Sequence, residues 1–177
     1  MNEILLKGQL SNNAYSYLSQ VRSLYQIYLQ IKQEIVLLDR KILYLQKDYL
    51  RNNSQMNSFE YQRVLSERTH KETQLQQQTS MIANYMVLST QNALQALQIS
   101  IKSKDNINIM LDDSLLSSIG SFIELSDKRI IDNYKEQCSV SNISFLLSDI
   151  ENKKIFTPLL VVSGFDRLRR IIRGFYL

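Results

Sequence analysis

The sequence predicts an all-α protein: a long antiparallel helical hairpin of coiled-coil type, with shorter C-terminal helices packed as a bundle. Three observations lead there. From Ala14 an apolar or aromatic side chain recurs at alternating steps of three and four, through Tyr17, Val21, Leu24, Tyr28, Ile31, Ile35, Leu38, Ile42, Leu45 and Tyr49. These are the a and d positions of a helix that packs along its length. The 177 residues include only 4 Gly and 1 Pro, too few for the turns that a sheet protein needs. Hydrophobic residues make up 44% of the chain, which excludes general disorder.

The first helix is expected to begin near Ser11 or Asn12, whose side chains can cap free backbone N–H groups, and to run to about Arg51. It carries a second apolar row at Leu29, Val36, Leu43 and Leu50, helped by Leu37 and Tyr44, and leaves a narrow solvated line of Gln26, Gln33, Arg40 and Lys47. Two apolar rows on one helix call for at least two neighbouring helices. The stretch from Asn52 to Ser58 is polar, and its side chains compete for backbone hydrogen bonds, so it reads as the turn of the hairpin. One unbroken helix through this stretch is the alternative. Asn57 with Glu60 has the form of a capping box opening a second helix, Phe59 to about Lys102, with Leu65, Leu75, Ile82, Met86, Leu94, Leu97 and Ile101 on its apolar face. Arg68, Glu72 and Thr79 interrupt that face. Ala93 and Ala96 permit close helix approach, so the thicker packing is expected toward the chain termini.

After a break at 103–108, Asp112, Asp113 and Ser114 suit a helix N-terminus by capping and by the helix dipole, and a third helix is expected to run on to about Gln137. A short fourth helix, Ile143 to Asn152, follows Ser139–Asn142. Thr157 before Pro158 then reads as the start of a last, basic amphipathic helix. Its apolar face is Val161, Phe165, Leu168, Ile172 and Phe175; Arg167, Arg169, Arg170 and Arg173 lie across the other, with Gly164 and Gly174 as weak points. The domain reading is a hairpin over 1–102 and a C-terminal helical segment over 103–177, packed on the open end of the hairpin.

Candidate chemistry is sparse. Glu67 and His70 have the Glu-x-x-His spacing of carboxylate-bridged di-metal sites, but such a site needs a second copy of the motif, and His70 is the chain's 1 histidine. The same scarcity removes Cys/His zinc sites and paired nucleophiles. The 1 cysteine, Cys138, reads as a small packed side chain. The glycines are too scattered for a phosphate loop. Asp112 and Asp113 read as caps before they read as acid or metal chemistry. Of the 10 tyrosines, Tyr17, Tyr28 and Tyr49 fall on the heptad stripe and Tyr25 and Tyr44 lie beside it, where packing explains them better than base stacking does. Hence no catalytic, cofactor or metal residues are assigned.

The net charge is +4, unevenly spread. Residues 105–151 are rich in acids, whereas 153–177 hold Lys153, Lys154 and four arginines against Asp166 alone. The basic tail has three readings: docking on the acidic third-helix region, entering a groove on a partner, or lying on an anionic membrane. The N-terminal segment lacks the pattern of a signal peptide and no apolar run reaches about 20 residues, so a cytoplasmic protein is expected.

The function expected is non-catalytic: a structural or adaptor subunit of a larger assembly. Its partner-binding residues would be Leu29, Val36, Leu43 and Leu50 on the first helix, and Phe165, Leu168, Arg169, Arg170, Ile172 and Arg173 on the last. The partner would be another protein or a second copy; the weak charge of the hairpin argues against nucleic acid. In outline the hairpin is similar to the stalk proteins of type III secretion and flagellar export ATPases, which are richer in Glu, Lys and Arg and end soon after the hairpin. That likeness implies a stalk-like part of an export apparatus as the alternative, and a nucleic-acid module using the basic tail is a further one.

Overall fold

The computed structural model describes residues 2–52, 58–154 and 162–174, with the side chains of 51, 52, 58 and 154 outside the description. Among them are six helices and no strand: α1 (Asn2–Asn52), α2 (Ser58–Lys102), α3 (Asn106–Leu125), α4 (Lys128–Ser139), α5 (Ile143–Lys154) and α6 (Ser163–Arg173). No helix among the described residues is long and apolar enough to cross a membrane. The chain divides into two compact units, one of Met1–Arg22 with Met81–Leu177, the other Ser23–Ser80. The division cuts across the hairpin, so α1 and α2 each contribute to both units.

In the unit Ser23–Ser80, α1 and α2 lie antiparallel: Glu34 meets Lys71 at 2.8 Å, Asp39 meets Arg68, and Gln46 Nε2 donates to Tyr61 Oη at 3.1 Å. The buried seam is Tyr28, Ile31 and Ile35 of α1 against Val64, Leu75 and Thr79 of α2. The first three are heptad positions. Thr79, which interrupts the apolar face of α2, is buried because its hydroxyl donates to the Leu75 carbonyl at 2.8 Å and so meets its own need.

In the other unit, the C-terminal half of α2 is the central element, buried on nearly every side from Ile82 to Ile101. Ala83, Ala93 and Ala96 are fully buried and let neighbours approach. Three polar residues on this half are answered by three different helices. Ser89 donates to the Ala14 carbonyl of α1 at 2.8 Å, Thr90 shares a 2.8 Å hydrogen bond with Tyr134 of α4, and Gln98 donates to Asp149 of α5 at 2.7 Å. Tyr17 and Tyr85 stack with centroids 5.8 Å apart. These directional bonds select one arrangement from the many that leucines alone would tolerate.

Several boundaries differ from those expected. α1 starts at Asn2, not near Ser11: Glu3 suits the first turn, and the ion pairs Glu3–Lys102 (2.8 Å) and Lys7–Asp112 (3.0 Å) hold the extra turns in place. α3 starts at Asn106, capped by Asp105, whose side chain accepts from the Asn108 N–H at 3.2 Å. Asp112 and Asp113 therefore lie inside α3 and do not cap it. The expected third helix is two helices, broken at Ser126, whose hydroxyl turns back to the Phe122 carbonyl at 2.6 Å. The turn residues 53–57, the capping residue Asn57, the start at Thr157–Pro158 and the positions Val161 and Phe175 lie outside the described residues.

Candidate interaction surface

The residues that drew chemical attention are accounted for by structure. His70 is exposed and sits 3.3 Å from Gln74, while Glu67 pairs with Arg63 at 3.5 Å on the same open face. Among the described residues, no group of three His, Cys, Asp or Glu side chains is placed to hold a metal ion. Cys138 is buried beside Tyr134, and burial pushes its thiol up to about 12, so it is protonated at neutral pH. The Tyr134 hydroxyl is likewise raised well above its ordinary value by burial. A groove in the Ser23–Ser80 unit, about 340 Å³, is lined by Gln30, Gln74, Gln77 and Gln78 around the satisfied Glu34–Lys71 pair, with no nucleophile among its lining residues.

The two adjacent acids of α3 are both buried, with different work. Asp112 pairs with Lys7 at 3.0 Å and accepts from Ser100 Oγ at 2.6 Å, joining α1, α2 and α3. Asp113 caps a helix, but through space: its carboxylate accepts from the backbone N–H groups of Gly164 at 3.0 Å and Phe165 at 2.8 Å. These donors open α6, whose own N-cap residue, Val162, has no side chain able to meet them.

This cap fixes how the basic helix lies. α6 runs alongside α3 in the same direction, with Gly164 against Asp113 and Ser117, and Ile171 and Arg167 against Gly120. The bare Cα of Gly164 is what admits the approach: a β-carbon there would stand 2.2 Å from the Asp113 carbonyl oxygen. Expected as a weak point, Gly164 is where α6 lies too close to the α3 backbone for a β-carbon. Arg167 grips the Glu124 carboxylate through two nitrogens and donates to Ser121 Oγ at 2.9 Å, holding Glu124 below the usual carboxylate range.

The residues expected to bind a partner therefore separate. Phe165 and Leu168 are fully buried within the chain, Arg169 stands 3.5 Å from Glu151, and Arg173 donates to Ser148 Oγ at 3.1 Å. Ile172 is half-buried, and Arg170 is exposed. The described helix α6 thus docks on the chain's own acidic region, the first of the three readings, and buries Phe165 and Leu168 there. On α1 the outcome is opposite. Leu29, Val36, Leu43 and Leu50 are 38, 44, 51 and 78% exposed, with Leu37 and Tyr44 open beside them. The second neighbour that two apolar rows call for is not supplied by the described residues of the Ser23–Ser80 unit. Sequence reasoning missed the Asp113–Gly164 contact, which no local pattern announces.

The chain matches no known protein family, no curated protein and no solved structure.

Proposed function

We propose that the chain is a non-catalytic structural or adaptor subunit that acts, in the cytoplasm, by presenting α1 to another protein. One observation carries this reading: the outward row Leu29, Val36, Leu43 and Leu50 leaves a continuous apolar strip on a helix whose other side is already packed. Contiguous exposed apolar surface of this kind marks association sites in soluble proteins.

The test is in-cell crosslinking of the tagged protein, comparing wild type with the double exchange Val36→Glu and Leu43→Glu. Both positions are open, so folding and melting should be unchanged. A protein recovered in fixed ratio with wild type and lost with the variant supports the reading; identical recovery from both overturns it.

A further inference from the structure

The exposed strip of α1 carries charge of one sign, for a structural reason. Turned away from α2 are Gln26, Gln33, Arg40 and Lys47, flanked by the rows Leu29, Val36, Leu43, Leu50 and Leu37, Tyr44. The ionised residues inside this strip are Arg40 and Lys47, and neither has an ion-pair partner among the described residues. Glu34 and Asp39, which could have neutralised them, are turned inward to Lys71 and Arg68. Lys41 is likewise held by Glu60 at 3.5 Å. Asp48 lies on the flank beyond Tyr44. Glu34, Asp39 and Glu60 thus pair across the hairpin, and Arg40 and Lys47 stand between the apolar rows.

We propose that the strip receives an amphipathic helix of a partner protein whose apolar row carries Asp or Glu one heptad apart. Arg40 and Lys47 are seven residues apart, about 10.5 Å along the helix. Carboxylates at that spacing on an opposing helix meet both, while the leucines on either side interdigitate. A second copy of the chain is disfavoured, because strip against strip brings cations to cations and supplies no acid. A bilayer surface is disfavoured by position: interfacial helices carry their basic residues along the polar edge, whereas Arg40 and Lys47 stand between the apolar rows and would be carried toward the acyl chains.

This inference rests on the proposed subunit role and is tested so that the two fail separately. Fluorescence anisotropy on the full chain uses two designed helical peptides of equal length and identical leucine rows, one with Glu and one with Lys at the two heptad-spaced positions. The Glu peptide should bind at least about tenfold more tightly than the Lys peptide, with the gap shrinking in high salt. Arg40→Glu with Lys47→Glu should reverse the preference, and Val36→Gln with Leu43→Gln should abolish binding of both. Leu43→Gln or Lys47→Glu alone replaces any double variant that melts early. Equal affinity for the peptides, no binding of either, self-association tighter than peptide binding, or preferential capture by phosphatidylserine vesicles would each overturn the acidic-helix partner. In the crosslinking assay, partner loss with Val36→Glu/Leu43→Glu but not with Arg40→Glu/Lys47→Glu keeps the subunit role and overturns this inference. Insensitivity to both removes both.

Discussion

Replacing Gly164 with alanine sets helix propensity directly against packing, and the two predict opposite signs. By propensity alone the exchange stabilises a helix by up to about 1 kcal/mol. The structure places the new β-carbon 2.2 Å from the Asp113 carbonyl oxygen, 2.9 Å from the Ser117 nitrogen and 3.1 Å from Asp113 Oδ1. Two of these atoms are backbone of α3 and cannot swing aside, so α6 has to retreat by about an ångström to restore ordinary contact. The bonds from Gly164 and Phe165 to Asp113, 3.0 and 2.8 Å long, then stretch beyond useful range. Overpacking costs about 1–3 kcal/mol, and hydrogen bonds to a buried charge are worth about 1.5–3 kcal/mol each. Retreat relieves the overpacking at the expense of the two bonds, so their loss of about 3–6 kcal/mol less the propensity gain leaves about 2–5 kcal/mol, a fall in melting temperature of about 4–20 °C at this chain size. The control is internal. Gly8 is also helical and has nothing within 4 Å of its β-carbon position, so Gly8→Ala should hold or raise the melting temperature. Thermal melts with hydrogen exchange on residues 163–173 measure both, and Asp113→Asn added to Gly164→Ala should cost little more, since the bonds are already lost. Gly164→Ala melting at or above wild type would refute the close-crossing argument.

Ile35→Asp should destabilise by about 3 kcal/mol or more, whereas Val36→Asp one residue later should stay within about 0.5 kcal/mol, because Ile35 is 6% and Val36 44% exposed; paired melts followed by circular dichroism decide. Lys104 closes α2 at φ 55°, so Lys104→Gly should stabilise by about 0.5–1 kcal/mol in urea unfolding. Glu124 is held below its ordinary value of 4.5 chiefly by the hydrogen bond from Arg167. A depressed folded pKa gives stability that is present above the unfolded value and lost as pH falls through the folded one. The melting difference between wild type and Glu124→Gln should therefore be constant from neutral pH to near 4.5 and close below it. Its size should be no more than about 1 kcal/mol, since the pair is partly exposed. Cys138, with its thiol raised to about 12, should react with a thiol reagent near pH 8 about a thousandfold more slowly in the folded than in the unfolded chain.

What was legible in the sequence follows from the range of the forces involved. The heptad of α1 and the apolar face of α2 are local patterns, and Tyr28, Ile31, Ile35, Leu75, Ile82, Met86 and Leu94 are buried as their spacing implies. The acidic third-helix region and the arginine tail were legible as complementary, and Arg167 does meet Glu124. The ends of helices were read less well, since capping residues compete with distant partners. Ser11 and Asn12 look like a start, but Lys7 and Glu3 are held from α3 and α2 and carry the helix further back. Asp113 was recognisable as a capping residue, yet the helix it caps lies fifty-odd residues away, and sequence spacing cannot express that. Gly164 carries a helix-weakening propensity that is real but outweighed by proximity. The second row on α1 was plainly apolar; whether anything covers such a row is a matter of tertiary packing, which local spacing does not encode.

A helix that takes its first hydrogen-bond acceptor from another element has no independent beginning. With 11 residues and no side-chain cap of its own, α6 is too short to persist alone in water. Its helical form therefore depends on the contact with α3. The same arrangement ties together two positions far apart in the chain: an acid at 113 is useful only with a residue lacking a β-carbon at 164, and either change alone removes the reason for the other. Selection would therefore act on them as a pair, and the surrounding arginines could drift in number and place while this pair stayed put.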